Sequence, residues 1–211
     1  MQVAWWRLLG WSAKDKPLSQ YIVVKDNAFC EGAPFMYQLA SVYLQNNFCL
    51  LYLSTETPWY SLYLSLRKLG VRLDSSFFKG RILFLDVNVK NPYDLTRQVC
   101  SSMDQWLTER LDSEPLSLAI LVDSATSILY LSNQSNSFSL LFHYLRVMGR
   151  KLSPTLYCEA KFYDSLILQL DALPLGVPSE QDGRLSIEER DQAISTVLFK
   201  ILENQIKFFT I

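Results

Sequence analysis

The sequence predicts an α/β fold in which a largely parallel sheet is covered by helices and closed by a C-terminal antiparallel extension. Three observations carry this expectation. Short β-branched or apolar runs alternate with segments of helical periodicity as far as Gly149. Several of those runs, such as Leu116 to Val122, are continuously apolar, which suits strands buried on both faces. Beyond Gly149 the helical pattern gives way to short runs separated by turn residues. Parallel neighbours need a covering crossover, whereas antiparallel ones need only a turn.

Gln20 to Asp26 (QYIVVKD) reads as the first core strand, followed by a loop from Asn27 to Ala33. Pro34 can open a helix at its first position, and Phe35, Met36, Leu39, Ala40 and Tyr43 recur at helical spacing behind it. Asn46 and Asn47 mark a turn into the next strand, Phe48 to Leu53. Pro58 starts a second helix with Trp59, Leu62, Tyr63, Leu66 and Leu69 on its apolar face, and Gly70 stands where a C-terminal cap is wanted. Arg81 to Val87 is the next strand. Asn91-Pro92 then opens a helix reaching about Leu111, with Leu95, Val99, Met103, Trp106 and Leu107 inward. Leu116 to Val122 is the most apolar strand and ends in Asp123. Ser137 can cap a helix carrying Phe138, Leu141, Phe142, Leu145 and Met148, terminated by Gly149. Leu166 to Leu170, Gly183 to Ile187, Val197 to Leu202 and Gln205 to Ile211 form the mostly antiparallel edge, the last of them an apolar run that would expose unpaired strand.

The chain has 211 residues, 49% of them hydrophobic, which excludes a long disordered protein and fits one domain over residues 20–211 behind an N-terminal segment, 1–19. A net charge of −1 supplies no global field for nucleic acid, so any RNA contact has to be local. Cys30, Cys49, Cys100 and Cys158 lie far apart beside a single histidine, His143, so zinc and disulfide frameworks are poorly supported and reduced, mostly buried thiols are expected. The N-terminus lacks a cleavage site of small residues, and the longest uncharged stretch, Gly32 to Thr55, is broken by Gln38, Gln45, Asn46 and Asn47. A soluble cytoplasmic chain without membrane contact is expected, with the nucleus as a second compartment.

This order of elements is that of a RecA-like NTPase core, which places a phosphate-binding loop after its first strand and a metal-orienting acid at the end of the apolar strand. The test residues fail. From Asp26 to Pro34 there is one glycine, Gly32, no Lys, Ser or Thr in the phosphate positions, and Glu31 where phosphate would sit. Pro34 removes an amide that would face the anion. No cofactor, no metal and no catalytic residue is therefore expected. Asp123 is either a relic of the metal-binding acid or, more commonly for a strand-ending Asp, the cap of the turn that follows it.

The chain also resembles a family. Ile22-Val23-Val24-Lys25-Asp26, Lys68-Leu69-Gly70-Val71 before Leu73, Ile120-Leu121-Val122-Asp123 and Leu141-Phe142-His143-Tyr144 stand in an order similar to that of the Elongator complex protein 6 family. So do Leu173-Pro174-Leu175-Gly176 before Asp182-Gly183-Arg184-Leu185, and the closing Phe199-Lys200-Ile201 and Ile206-Lys207-Phe208-Phe209. The resemblance covers nearly the whole chain and rests on order, not on one specific motif. It implies a RecA-like subunit without phosphate-binding motifs, assembled with Elongator proteins four and five into a hetero-hexameric ring. That ring binds tRNA and supports wobble-uridine modification by the rest of Elongator, the subunit being scaffold and not catalyst. The chain departs from the family between the LLFHYL helix and the LILQL strand, where only Arg150 to Ser165 intervene and Thr155 to Cys158 is the one candidate for the family's extra strand.

Two sets of residues are candidates for contacts. Trp5, Trp6, Leu9 and Trp11, with Leu8, either pack back on the domain or meet a partner chain, since aromatic anchors are enriched at interface centres. In a RecA-like ring the loops after the acid-ended strand and after the next strand face the opening. The first, Ser132 to Ser137, is polar and uncharged; the second offers Arg150, Lys151 and Lys161 to RNA phosphates. Trp59 with Tyr63 reads as core in preference to a base-stacking platform, and His143 as a surface residue. A divergent RecA-like NTPase and a free-standing interaction module remain the alternatives.

Overall fold

The computed structural model describes residues 2–3, 21–27, 31–87, 95–109, 117–131, 135–152, 165–171, 183–189, 192–202 and 205–210. The chain divides into two compact units, Met1–Leu39 with Thr155–Ile211, and Ala40–Pro154.

The first unit is built on a six-stranded sheet of order β1-β9-β8-β7-β6-β2. Its strands are β1 (Gln2–Val3), β2 (Tyr21–Lys25), β6 (Ser165–Asp171), β7 (Gly183–Glu189), β8 (Gln192–Leu202) and β9 (Gln205–Thr210). β2 and β6 pair in parallel from Tyr21 opposite Ser165 to Lys25 opposite Gln169, and every later pairing is antiparallel. The C-terminal extension is thus the antiparallel edge that the short runs predict. One part of that reading is corrected. β1 pairs Gln2 with Phe209 and Val3 with Phe208, so these two residues of β9 have a neighbouring strand and do not lie open. Sequence reasoning missed β1 because two residues carry no period. The core of this unit includes Phe35 and Phe199, both fully buried and edge to face at 5.0 Å, together with Leu39 and Leu185.

The second unit holds a three-stranded parallel sheet of order β4-β3-β5, from β3 (Cys49–Ser54), β4 (Ile82–Asp86) and β5 (Leu118–Val122). β3, the central strand, is buried along its whole length, as a continuously apolar strand should be. Helix α1 (Ala33–Gln45) leads into it, α2 (Trp59–Lys68) connects it to β4, and α3 (Leu95–Thr108) leads from β4 towards β5. The inward residues of α3 are the five its spacing predicts. They join Leu51, Leu53, Leu118, Ile128, Leu141 and Leu145 in one apolar cluster.

Left-handed caps explain two helix ends. At Asn47 (φ 70°) the Phe48 amide donates to the Tyr43 carbonyl at 3.1 Å, and at Gly70 (φ 88°) the Val71 amide donates to the Leu66 carbonyl at 2.9 Å. Gly149 acts differently from expectation. It lies buried inside α5 (Ser135–Leu152), which continues a further turn past it, because a glycine ends a helix only where the backbone enters the left-handed region. The helix α4 (Ala125–Leu131) is a second departure. Only Ile128 of its seven residues is buried, too little apolar periodicity to read.

Among the described residues Cys49 is buried and Cys100 partly buried, neither of them in a disulfide; Cys30 and Cys158 lie outside them. No helix among them is long and apolar enough to cross a membrane.

Candidate functional site

In the first unit, the start of α1 stands where the sequence reading looks for a phosphate-binding loop. Gly32 lies just before the helix and its carbonyl accepts the Phe35 and Met36 amides at 3.0 and 3.2 Å. Its own amide donates to Asp26 Oδ2 at 3.1 Å. A carboxylate thus occupies the electropositive helix start, where a phosphate-binding fold needs an anion from outside. A Cβ on residue 32 would stand 3.0 Å from that same oxygen, so the close approach of Asp26 depends on glycine. The one glycine of this loop serves an internal carboxylate and Pro34, now the second helical residue, offers no amide.

In the second unit, the carboxyl ends of β3 and β5 form a polar cluster. Asp123 Oδ2 lies 2.6 Å from Ser54 Oγ and accepts the Glu56 and Thr57 amides at 3.1 and 3.0 Å. Oδ1 accepts the Thr55 amide and hydroxyl, each at 2.9 Å. Ser54 Oγ in turn accepts the Thr57 amide at 3.0 Å and lies 2.6 Å from the Thr57 carbonyl. The acid does not cap its own turn; it closes the loop of the neighbouring strand. Burial alone would raise its pKa, but the Ser54 hydroxyl and then the Thr55, Glu56 and Thr57 amides outweigh it and hold Asp123 below the usual carboxylate range. Ser124 caps α4 through its hydroxyl, which accepts the Ser127 amide at 3.2 Å, and the Ser127 hydroxyl donates to Glu56 Oε1 at 2.6 Å.

The chemistry of such an arrangement is structural. A metal-orienting acid needs a free oxygen lone pair toward the ion, whereas both Asp123 oxygens are committed to backbone and hydroxyl donors. Sequence reasoning passed over Ser54 to Thr57. The available signal was a run of Ser-Thr-Glu-Thr between an apolar strand and Pro58, two strands removed in sequence from the acid it meets.

The predicted contact residues fare unevenly. Trp5, Trp6, Leu9, Trp11 and Lys161 lie outside the described residues, and Arg150 and Lys151 fall in the last turn of α5. His143 is exposed on α5, as its position beside the apolar face predicts. Trp59 is 40% exposed, tilted against Phe84 at 5.2 Å and Tyr63 at 6.2 Å, so it rims the core. On the facing helices, burial, then Cys100 and Asp104, pushes the Tyr144 phenol far above its ordinary value, and it donates to Asp104 Oδ1 at 3.4 Å.

No protein-family model matches the chain, and no curated protein matches it significantly. Solved structures do. A KaiC-like protein from the hyperthermophilic archaeon Pyrococcus horikoshii OT3 superposes with a TM-score of 0.57 at 13% identity, over 92% of this chain and 90% of the other. An uncharacterized protein from Pyrococcus horikoshii, crystallised with an unknown peptide, superposes with a TM-score of 0.58 at 13% identity, over 92% and 93% of the two chains. The fold is RecA-like. Within a RecA-like chain, the segment before α1 is the phosphate-loop position and Asp123 is the strand-ending acid. Each is here engaged by the protein itself.

Proposed function

We propose that this RecA-like chain is a non-catalytic subunit of the Elongator accessory ring, assembled with Elongator proteins four and five into a hetero-hexamer that binds tRNA and supports modification of its wobble uridine. The observation that supports the non-catalytic part is the hydrogen bond from the Gly32 amide to the Asp26 side chain, since an NTPase of this fold would turn that helix start toward a nucleotide phosphate. The ordered family resemblance supports the assembly and tRNA parts. Trp5, Trp6, Leu9 and Trp11 are assigned to partner contact, and Arg150, Lys151 and Lys161 to RNA phosphates at the ring opening, where symmetry would multiply a modest contribution.

Co-expression with Elongator proteins four and five tests this. Light scattering should give a hetero-hexamer, and filter binding should give tRNA affinity that requires it. A chain that stays alone in the presence of both proteins and hydrolyses ATP would instead be a divergent NTPase of the same fold. One that stays alone and does not would be a free-standing interaction module.

A further inference from the structure

At the amino end of the three-stranded sheet, from the last turn of α2 to the start of β4, five of the chain's 20 cationic side chains fall within residues 67–81: Arg67, Lys68, Arg72, Lys79 and Arg81. Arg67, Lys68, Arg72 and Lys79 are exposed, and the segment's one acid is Asp74, also exposed. Tight turns keep the segment compact: the Ser75 amide donates to the Arg72 carbonyl at 3.0 Å and the Lys79 amide to Ser75 at 2.9 Å. Hydrogen bonds to other parts of the unit hold it in place. The Trp106 indole donates to the Gly80 carbonyl at 3.2 Å, and the Gln45 side-chain amide to the Leu69 carbonyl at 3.1 Å. The Trp106 contact also brings the last turn of α3, followed by the exposed Glu109, to this end of the sheet.

The negative end of the α2 dipole accounts for Arg67 and Lys68. It does not account for Arg72, nor for Phe77. That ring is 51% exposed, stands edge to face on Phe78 at 4.8 Å, and carries the Arg81 guanidinium 4.3 Å from its centroid. The guanidinium is held there by a hydrogen bond to Asn47 Oδ1, on the left-handed residue that caps α1. A large aromatic left half in water costs solvation, and a guanidinium pinned over it forms a flat cationic platform.

We infer that this face binds single-stranded nucleic acid, with a base stacked on the Phe77–Arg81 platform and the flanking phosphates on Arg67, Lys68, Arg72 and Lys79. A single strand offers the two things this surface can use together, an aromatic face and closely spaced negative charge. An acidic peptide would use the charges and leave Phe77 idle; a duplex would keep its bases stacked on one another. The inference goes beyond ring assembly, since the face belongs to one chain.

Fluorescence anisotropy of a short labelled uridine oligoribonucleotide with the full-length chain, across about 50 to 200 mM salt, tests it. Binding should weaken as salt rises. Arg67→Glu with Lys68→Glu and Arg72→Glu should flatten the log–log salt slope by about 2, at about 0.7 per phosphate contact. Phe77→Leu, which keeps an apolar side chain but no π face, should weaken binding about tenfold and leave the slope unchanged, while Phe77→Trp should retain affinity. The inference is overturned by absent binding at the lowest salt, by a triple variant that matches the wild type, or by Phe77→Leu without effect. Equal affinity for a blunt duplex or for an oligoglutamate overturns it as well.

Discussion

Ser54 ends β3, Asp123 directly follows the adjacent parallel strand β5, and the Ser54 hydroxyl lies 2.6 Å from the Asp123 carboxylate. Through that contact the acid becomes the anchor of the Ser54 to Thr57 loop, taking three consecutive amides as well. Asp123→Ala removes the acceptor and leaves those donors partly buried, so unfolding in urea should show a loss of about 3 kcal/mol. Asp123→Asn, which keeps the shape and one acceptor oxygen, should lose roughly half as much. A loss under about 0.5 kcal/mol for the alanine variant would mean that water replaces the carboxylate without cost.

The same carboxylate sets a pH dependence. Its folded pKa lies below the ordinary 3.8, so its contribution is fully present above about that pH and is lost as pH falls through the folded value. The difference in urea midpoint between wild type and Asp123→Asn should therefore be constant from near neutrality down to about pH 5 and shrink below pH 4. A difference that grows with acidity would contradict the assignment.

Gly70 adopts φ 88°, and a Cβ there would meet only the Gln45 side-chain nitrogen, at 3.8 Å. Space is sufficient, so the cost of Gly70→Ala is that of a left-handed backbone, about 1 kcal/mol. Thermal or urea unfolding checks the figure, and Gly70→Asn, a residue tolerated in this region as Asn47 is, should cost less.

The isolated chain should neither bind nor hydrolyse ATP, because Asp26 already accepts the Gly32 amide and Pro34 donates nothing. Titration calorimetry with magnesium and ATP is the measurement. Micromolar heat-releasing binding would require Asp26 to vacate the helix start and would set the non-catalytic reading aside.

The strands and the long helices were legible because apolar residues recurred at a single period: the inward face of α3 is readable from Leu95 to Leu107, and the left-handed turns at Asn47 and Gly70 from residue type alone. The polar cluster was not. Ser54 meets Asp123 only through strand pairing across 69 residues, and nothing local in either segment specifies the partner. Asp26 and Gly32 are close in sequence, yet nothing in residue type marks Asp26 as the acceptor of the Gly32 amide. Gly149 shows the limit of residue type in the other direction, since a buried glycine inside a helix and a terminating one look alike in sequence.

The parallel pairing of β2 with β6 has a consequence for synthesis on the ribosome. Tyr21 meets Ser165, so one half of that ladder leaves the exit tunnel long before the other half has been translated. At roughly 5–20 residues per second the interval is on the order of ten seconds. The segment from Ala40 to Pro154, which contains all three strands of its own sheet, emerges in the meantime. Nascent chains halted before Ser165 should therefore leave Tyr21 to Lys25 without the β6 ladder and open to chaperones, and those halted after Thr210 should not.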